Sequence, residues 1–68
     1  MLNTDLIEGK WHQFSGMVKS KWGELTDDDI AEAEGDAERL SGKIQEVYGL
    51  SREEVTNELK VLEKRLNS

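Results

Sequence analysis

Apolar residues recur along the first third of the chain at steps of three and four: Ile7, Trp11, Phe14, Val18 and Trp22. At about 100° per residue these five share one face of a helix. Ala37, Leu40, Ile44, Val47 and Tyr48 repeat the stripe, and Val55, Leu59, Leu62 and Leu66 form a third. No stretch alternates apolar and polar with the period of two that a half-buried strand requires, and proline is absent. The pattern predicts helices near 5–22, 27–34, 36–48 and 52–66.

Residues between the stripes mark where helices begin and end. Thr26 and Ser51 are each followed three residues later by an acid, Asp29 or Glu54, the spacing of a capping box that satisfies orphan amides at a helix start. Leu25 and Leu50, just before them, stand where a hydrophobic staple would meet Ile30 and Val55. Gly23 and Gly49 follow the first and third helices, where a chain leaving a helix often needs the left-handed conformation.

These devices are one pattern written twice, over residues 8–30 and 34–55. Glu8-Gly9 answers Glu34-Gly35, Phe14-Ser15-Gly16 answers Leu40-Ser41-Gly42, and Trp22-Gly23 answers Tyr48-Gly49. Past a one-residue deletion opposite Glu24, Leu25-Thr26 answers Leu50-Ser51. Such a repeat means two supersecondary units built alike. Links of three or four residues lead neighbouring helices to pack on one another. The expected fold is all-α, a small four-helix bundle of two helical hairpins related by approximate twofold symmetry, in a single domain over residues 1–68.

Composition places this fold near the limit of stability. A chain of 68 residues buries only about 60% of the surface it exposes when unfolded. Leu, Ile, Val and Phe supply roughly a quarter of it, just above the level at which a charged chain stays disordered. Without cysteine there is no disulfide framework, thiolate chemistry or Cys-type zinc site, and a reducing compartment is expected. The amino terminus lacks a basic and apolar leader, and no apolar run approaches the ~20 residues that span a bilayer, so a cytoplasmic, soluble protein is expected.

The net charge of −6 repels nucleic acid phosphate and anionic lipid, so neither nucleic acid nor membrane is an expected partner. Acidic residues gather in one segment: Glu24, Asp27, Asp28, Asp29, Glu32, Glu34, Asp36 and Glu38, with no Lys or Arg among them. Residues 9–22 carry Lys10, Lys19 and Lys21 and no acid. The segment reads either as a solvated polar surface or as an acidic face for docking a protein. Asp27, Asp28 and Asp29 fall in the first turn of a helix, where the macrodipole favours negative charge, and this accounts for the triplet without a metal.

Other candidates are weaker. Glu8 and Ser15 lie one helical turn from His12, the sole histidine. Two ligands on one helix do not make a metal site, and a hydrolytic triad also needs an orienting group and an oxyanion hole. No catalytic residue, metal or cofactor is expected, and the protein is read as a non-enzyme. Trp11, Phe14 and Trp22 beside lysines suggest a single-strand binding surface, but they belong to the core stripe. The last helix has only two heptads of apolar stripe, fewer than a coiled coil uses, so the protein is expected to be a monomer or weak homodimer. Gly16 and Gly42 fall opposite the apolar stripes, where each costs about 0.8–1 kcal/mol relative to alanine. They are a tolerated cost, a side-chain-free groove for a partner, or a device that keeps the domain loosely folded.

Gly9-Lys10-Trp11-His12-Gln13-Phe14-Ser15-Gly16-Met17-Val18-Lys19, then Trp22-Gly23-Glu24-Leu25-Thr26-Asp27-Asp28-Asp29, then Glu34-Gly35 and Gly42-Lys43-Ile44-Gln45-Glu46-Val47-Tyr48-Gly49, resemble the CsbD-like family of small bacterial general stress-response proteins. The resemblance runs from about residue 5 to residue 60. It implies a cytoplasmic protein induced under general stress, two helical hairpins packed across each other, and no established biochemical activity or ligand residue. Two functions are consistent with it. One is a small acidic protein-interaction module using the 24–38 segment; the other is a marginally folded, hydrophilin-like protectant of other proteins. The hydrophobic stripes are fuller here than in many relatives, which argues against a mainly disordered mode.

Overall fold

The computed structural model describes residues 2–67, and among them every regular element is helical. Five helices follow in order: α1 (Thr4–Gly9), α2 (Trp11–Lys21), α3 (Asp27–Ala33), α4 (Ala37–Tyr48) and α5 (Arg52–Leu66). Both capping boxes form. The Thr26 side chain accepts from the Asp29 backbone N–H and the Thr26 N–H donates to the Asp29 carboxylate, each at 3.1 Å. Ser51 and Glu54 repeat the exchange at 3.1 and 3.2 Å. Asp36 caps α4, accepting from the N–H groups of Glu38 and Arg39.

The expected helix over 5–22 is broken. Lys10 leaves the helical region at φ −121° and ψ 34°, beside Gly9, a poor helix former. The break lets α1 lie against both α2 and α4 while Ile7 enters the core with no exposure. Contacts distant in sequence hold this arrangement: the Asn3 N–H donates to the Glu63 carboxylate at 2.5 Å, and the Lys10 ammonium donates to the Leu66 carbonyl at 3.3 Å. A cation at the end of α5 is also favoured by the helix macrodipole.

The two links differ as well. In the longer first link, Leu25 donates its N–H to the Trp22 carbonyl at 3.0 Å, closing a turn that leaves Gly23 out of the left-handed region. The second link is two residues shorter, and here Gly49 takes the left-handed conformation, φ 66°, to carry the chain from α4 into the Ser51 cap.

At the centre lies α5, packed on both α2 and α4, with Val55, Leu59, Leu62 and Leu66 buried. Joined by the second link, α4 and α5 pack on one another. The short α3, whose one buried residue is Ala33, takes its main contacts from α4 instead of from its predecessor α2. Phe14, Val18, Leu25, Leu40 and Ile44 complete the core, and the chain's radius of gyration, 10.6 Å, is that of a compact chain of this length, about 11 Å. Trp22 is buried and Trp11 half-buried, its ring 6.2 Å from that of Phe14. Val47, expected in the stripe, is 37% exposed; Tyr48 takes the core edge beside it.

Candidate interaction face

Three of the eight acidic residues are drawn toward three different helices. Asp27 pairs with Lys19 on α2. Asp29 turns toward α4, its carboxylate 3.6 Å from the Lys43 ammonium. Glu38 lies 3.5 Å from the Arg52 guanidinium at the start of α5, with both side chains at least three-quarters exposed. Asp36 is occupied as the cap of α4. These four carboxylates therefore serve helix starts and helix-to-helix ties, although exposed pairs such as Glu38–Arg52 contribute little, roughly 0–1 kcal/mol.

Asp29 is the most constrained of the set. The Thr26 backbone N–H bonded to its carboxylate holds its pKa below the ordinary aspartate value, helped by the Thr26 hydroxyl and the Lys43 charge and opposed by partial burial. The cause is capping, so the shift reports a helix start and not a reaction site.

Glu24, Asp28, Glu32 and Glu34 remain exposed, and among the described residues no ion pair reaches their side chains. Asp28 and Glu32 are one turn apart on the same side of α3. Glu34 ends α3 in the left-handed region at φ 51°, and Gly35 follows at φ 81°. At Glu24 only the backbone is engaged, its N–H donating to the Tyr48 hydroxyl at 2.9 Å. These four carboxylates form the outward part of the segment.

The chemistry set aside from sequence is also placed. Ser15 donates its hydroxyl to the His12 backbone carbonyl at 3.1 Å. Among the described residues no three His, Cys, Asp or Glu side chains gather as a metal site. Phe14 and Trp22 are too buried to stack on bases.

Two shallow grooves lie at Gly16 and Gly42, where a side-chain-free groove is one of the readings left open by the sequence. One, between α2 and α5, is lined on its α2 side by Gln13, Gly16, Met17 and Ser20. The other, between α4 and α3, is lined on its α4 side by Arg39, Gly42, Lys43 and Glu46. Both glycines are exposed, and a Cβ added at either would meet no atom within 4 Å. Their position opposite the apolar stripe was the available signal.

Comparison with known proteins gives a consistent result. A family model described as CsbD-like matches residues 5–57. A UPF0337 protein of Xanthomonas axonopodis pv. citri is 51% identical over 65 residues, covering 96% of this chain and 94% of its own. One from Pseudomonas aeruginosa is 49% identical over 65 residues, covering 96% of this chain and 100% of its own. The UPF0337 protein YjbJ of Escherichia coli is 47% identical over 64 residues, covering 94% and 93%. No solved structure matches.

Proposed function

The chain belongs to the CsbD-like family, and from that membership we propose that it is a non-enzymatic general stress-response protein of the cytoplasm that binds a protein partner through the carboxylates around α3. The observation carrying this reading is the division of the acidic segment. Asp27, Asp29, Asp36 and Glu38 have structural partners, whereas Glu24, Asp28, Glu32 and Glu34 face solvent without one among the described residues. Carboxylates not needed by the fold are available for complementary charge on another protein, which sets specificity and association rate. No helix among the described residues is long and apolar enough to cross a membrane. The reading also takes the two repeats as pseudo-twofold units, supported by glycine-floored grooves at matching repeat positions.

The test is capture of partners from stressed cells by the wild-type chain and by a variant carrying Asp28→Asn, Glu32→Gln and Glu34→Gln. A partner retained at low salt, released at high salt and lost with the variant is the expected result. Equal recovery by both chains refutes the assignment of the face.

One observation favours the protectant reading as an alternative. No packing demand explains Gly16 or Gly42, and both lower the helical stability of an already small domain. Equal protection of a labile enzyme by an unrelated acidic protein of similar size rules that reading out.

A further inference from the structure

The groove between α2 and α5 has a wall that the fold leaves open. Val61 on α5 is 49% exposed, the more open of the two exposed large apolar side chains among the described residues, and it stands across from Gly16 and Met17. The missing side chain at Gly16 leaves space above α2 into which a neighbour can project. A lone exposed valine is ordinary. The charge order around this one is not. Glu58 lies three residues before Val61 and Arg65 four after, all on one stripe of α5, so the stripe is acidic on its amino-terminal side and basic on its carboxy-terminal side. Lys21, 2.8 Å from Glu58, holds that carboxylate at the groove edge.

A stripe ordered acid, apolar, base is complementary to itself when run in the opposite direction. We propose that this face docks a second copy of the chain, with α5 antiparallel to α5 about Val61. Each Val61 packs over the Gly16 and Met17 of the other copy, and Glu58 of each meets Arg65 of the other. The contact is isologous and closes at two chains, because the same patch is used on both sides. It does not draw on the Val55, Leu59, Leu62 and Leu66 stripe, which the chain's own core consumes. The overall charge of −6 opposes association, but most of the excess lies in residues 24–38, and charges more than about 8 Å apart are largely screened at physiological salt. An interface this small is weak, and its dissociation constant is expected between about 10 μM and 1 mM. This proposal does not depend on the acidic segment binding anything.

Sedimentation equilibrium on the full chain, from about 10 μM to 2 mM, reads the association directly. Val61→Asp, and separately Glu58→Lys, should each weaken the dimer at least about tenfold. Glu58→Lys combined with Arg65→Glu, in a chain that also carries Lys21→Glu so that the groove-edge pair is kept, restores the self-complementary order and should return the constant to within about threefold of wild type. A chain that stays monomeric throughout overturns the proposal, as does a dimer indifferent to Val61→Asp. Should Val61→Asp lower the helicity, the charge exchange decides alone: a chain with all three charges exchanged and wild-type circular dichroism that does not re-associate is equally fatal to it.

Discussion

Replacing Gly16 and Gly42 by alanine tests the account of the helices most sharply. Both residues stand in helix interiors, the sixth position of α2 and the sixth of α4. Neither has a positive φ, so alanine fits the backbone as it stands. A Cβ at either site meets nothing within 4 Å, so no clash subtracts from the gain and no new contact adds to it. The change then reduces to helix propensity, about 0.8–1 kcal/mol per site. Because the sites lie on different helices and line different grooves, the effects should add, giving roughly 2 kcal/mol. For a domain of this size 1 kcal/mol moves the melting temperature by about 4–8 °C, so the double variant should melt roughly 8–15 °C higher. Thermal melts by far-UV circular dichroism measure this, and urea unfolding should show a higher midpoint with an unchanged slope. Gly49→Ala is the internal control: at φ 66° a side chain is strained, and the variant should lose about 1 kcal/mol. A double variant that melts at or below the wild-type temperature would refute the reasoning, since something other than propensity would then hold those glycines in place.

Other consequences are equally direct. Ser51→Ala removes the cap of the central helix and should lower global stability by about 1 kcal/mol in urea unfolding, whereas Thr26→Ala should mainly speed hydrogen exchange in α3, which packs chiefly on α4. Asp29 has a depressed folded-state pKa, so its stabilisation is complete above the ordinary aspartate pKa of about 3.9 and is lost as pH falls through the lower folded value. Asp29→Asn should therefore flatten the acid limb of a stability-against-pH curve below about pH 4, and an unchanged limb would count against the capping account. Trp22 is 5% exposed and Trp11 half-buried, so in single-tryptophan variants with the other ring replaced by Phe, iodide should quench Trp11 much more strongly.

What could be read from the sequence follows the range of the forces involved. The starts of α3 and α5 were legible because a capping box and its staple lie within a few residues. The burial of Phe14, Leu40 and Leu59 was legible because a helical stripe is periodic. The break at Lys10 was not, since Glu63 and Leu66, which hold α1 in place, lie more than 50 residues away. The same limit applies to the acidic segment. Asp27 and Glu38 look alike in sequence to Asp28 and Glu32, and only Lys19 and Arg52, brought close by folding, separate structural carboxylates from free ones. Gly23 and Gly49 likewise occupy matching repeat positions, yet the extra residue Glu24 lets the first link close without a left-handed residue.

The repeat itself suggests how the two glycines differ. Gln13, Gly16, Met17 and Ser20 line one groove, and Arg39, Gly42, Lys43 and Glu46 line the other at the matching positions of the repeat. The opposing walls are unlike. Beside Gly16, α5 presents the half-exposed Val61; beside Gly42, the short α3 presents Asp29, Glu32 and Ala33, with Asp29 tied to Lys43 across the gap. An apolar wall next to an unfilled floor suits an incoming side chain, whereas a floor bridged by an ion pair does not. Propensity acts equally at both glycines, so Gly16→Ala and Gly42→Ala should raise the melting temperature by similar amounts. Self-association should separate them: a methyl group at position 16 partly fills the space required by the second copy's Val61 and should weaken the dimer severalfold, whereas one at position 42 should leave it unchanged. Equal effects on association would mean that the two grooves are interchangeable and that the apolar wall at Val61 does not select the docking face.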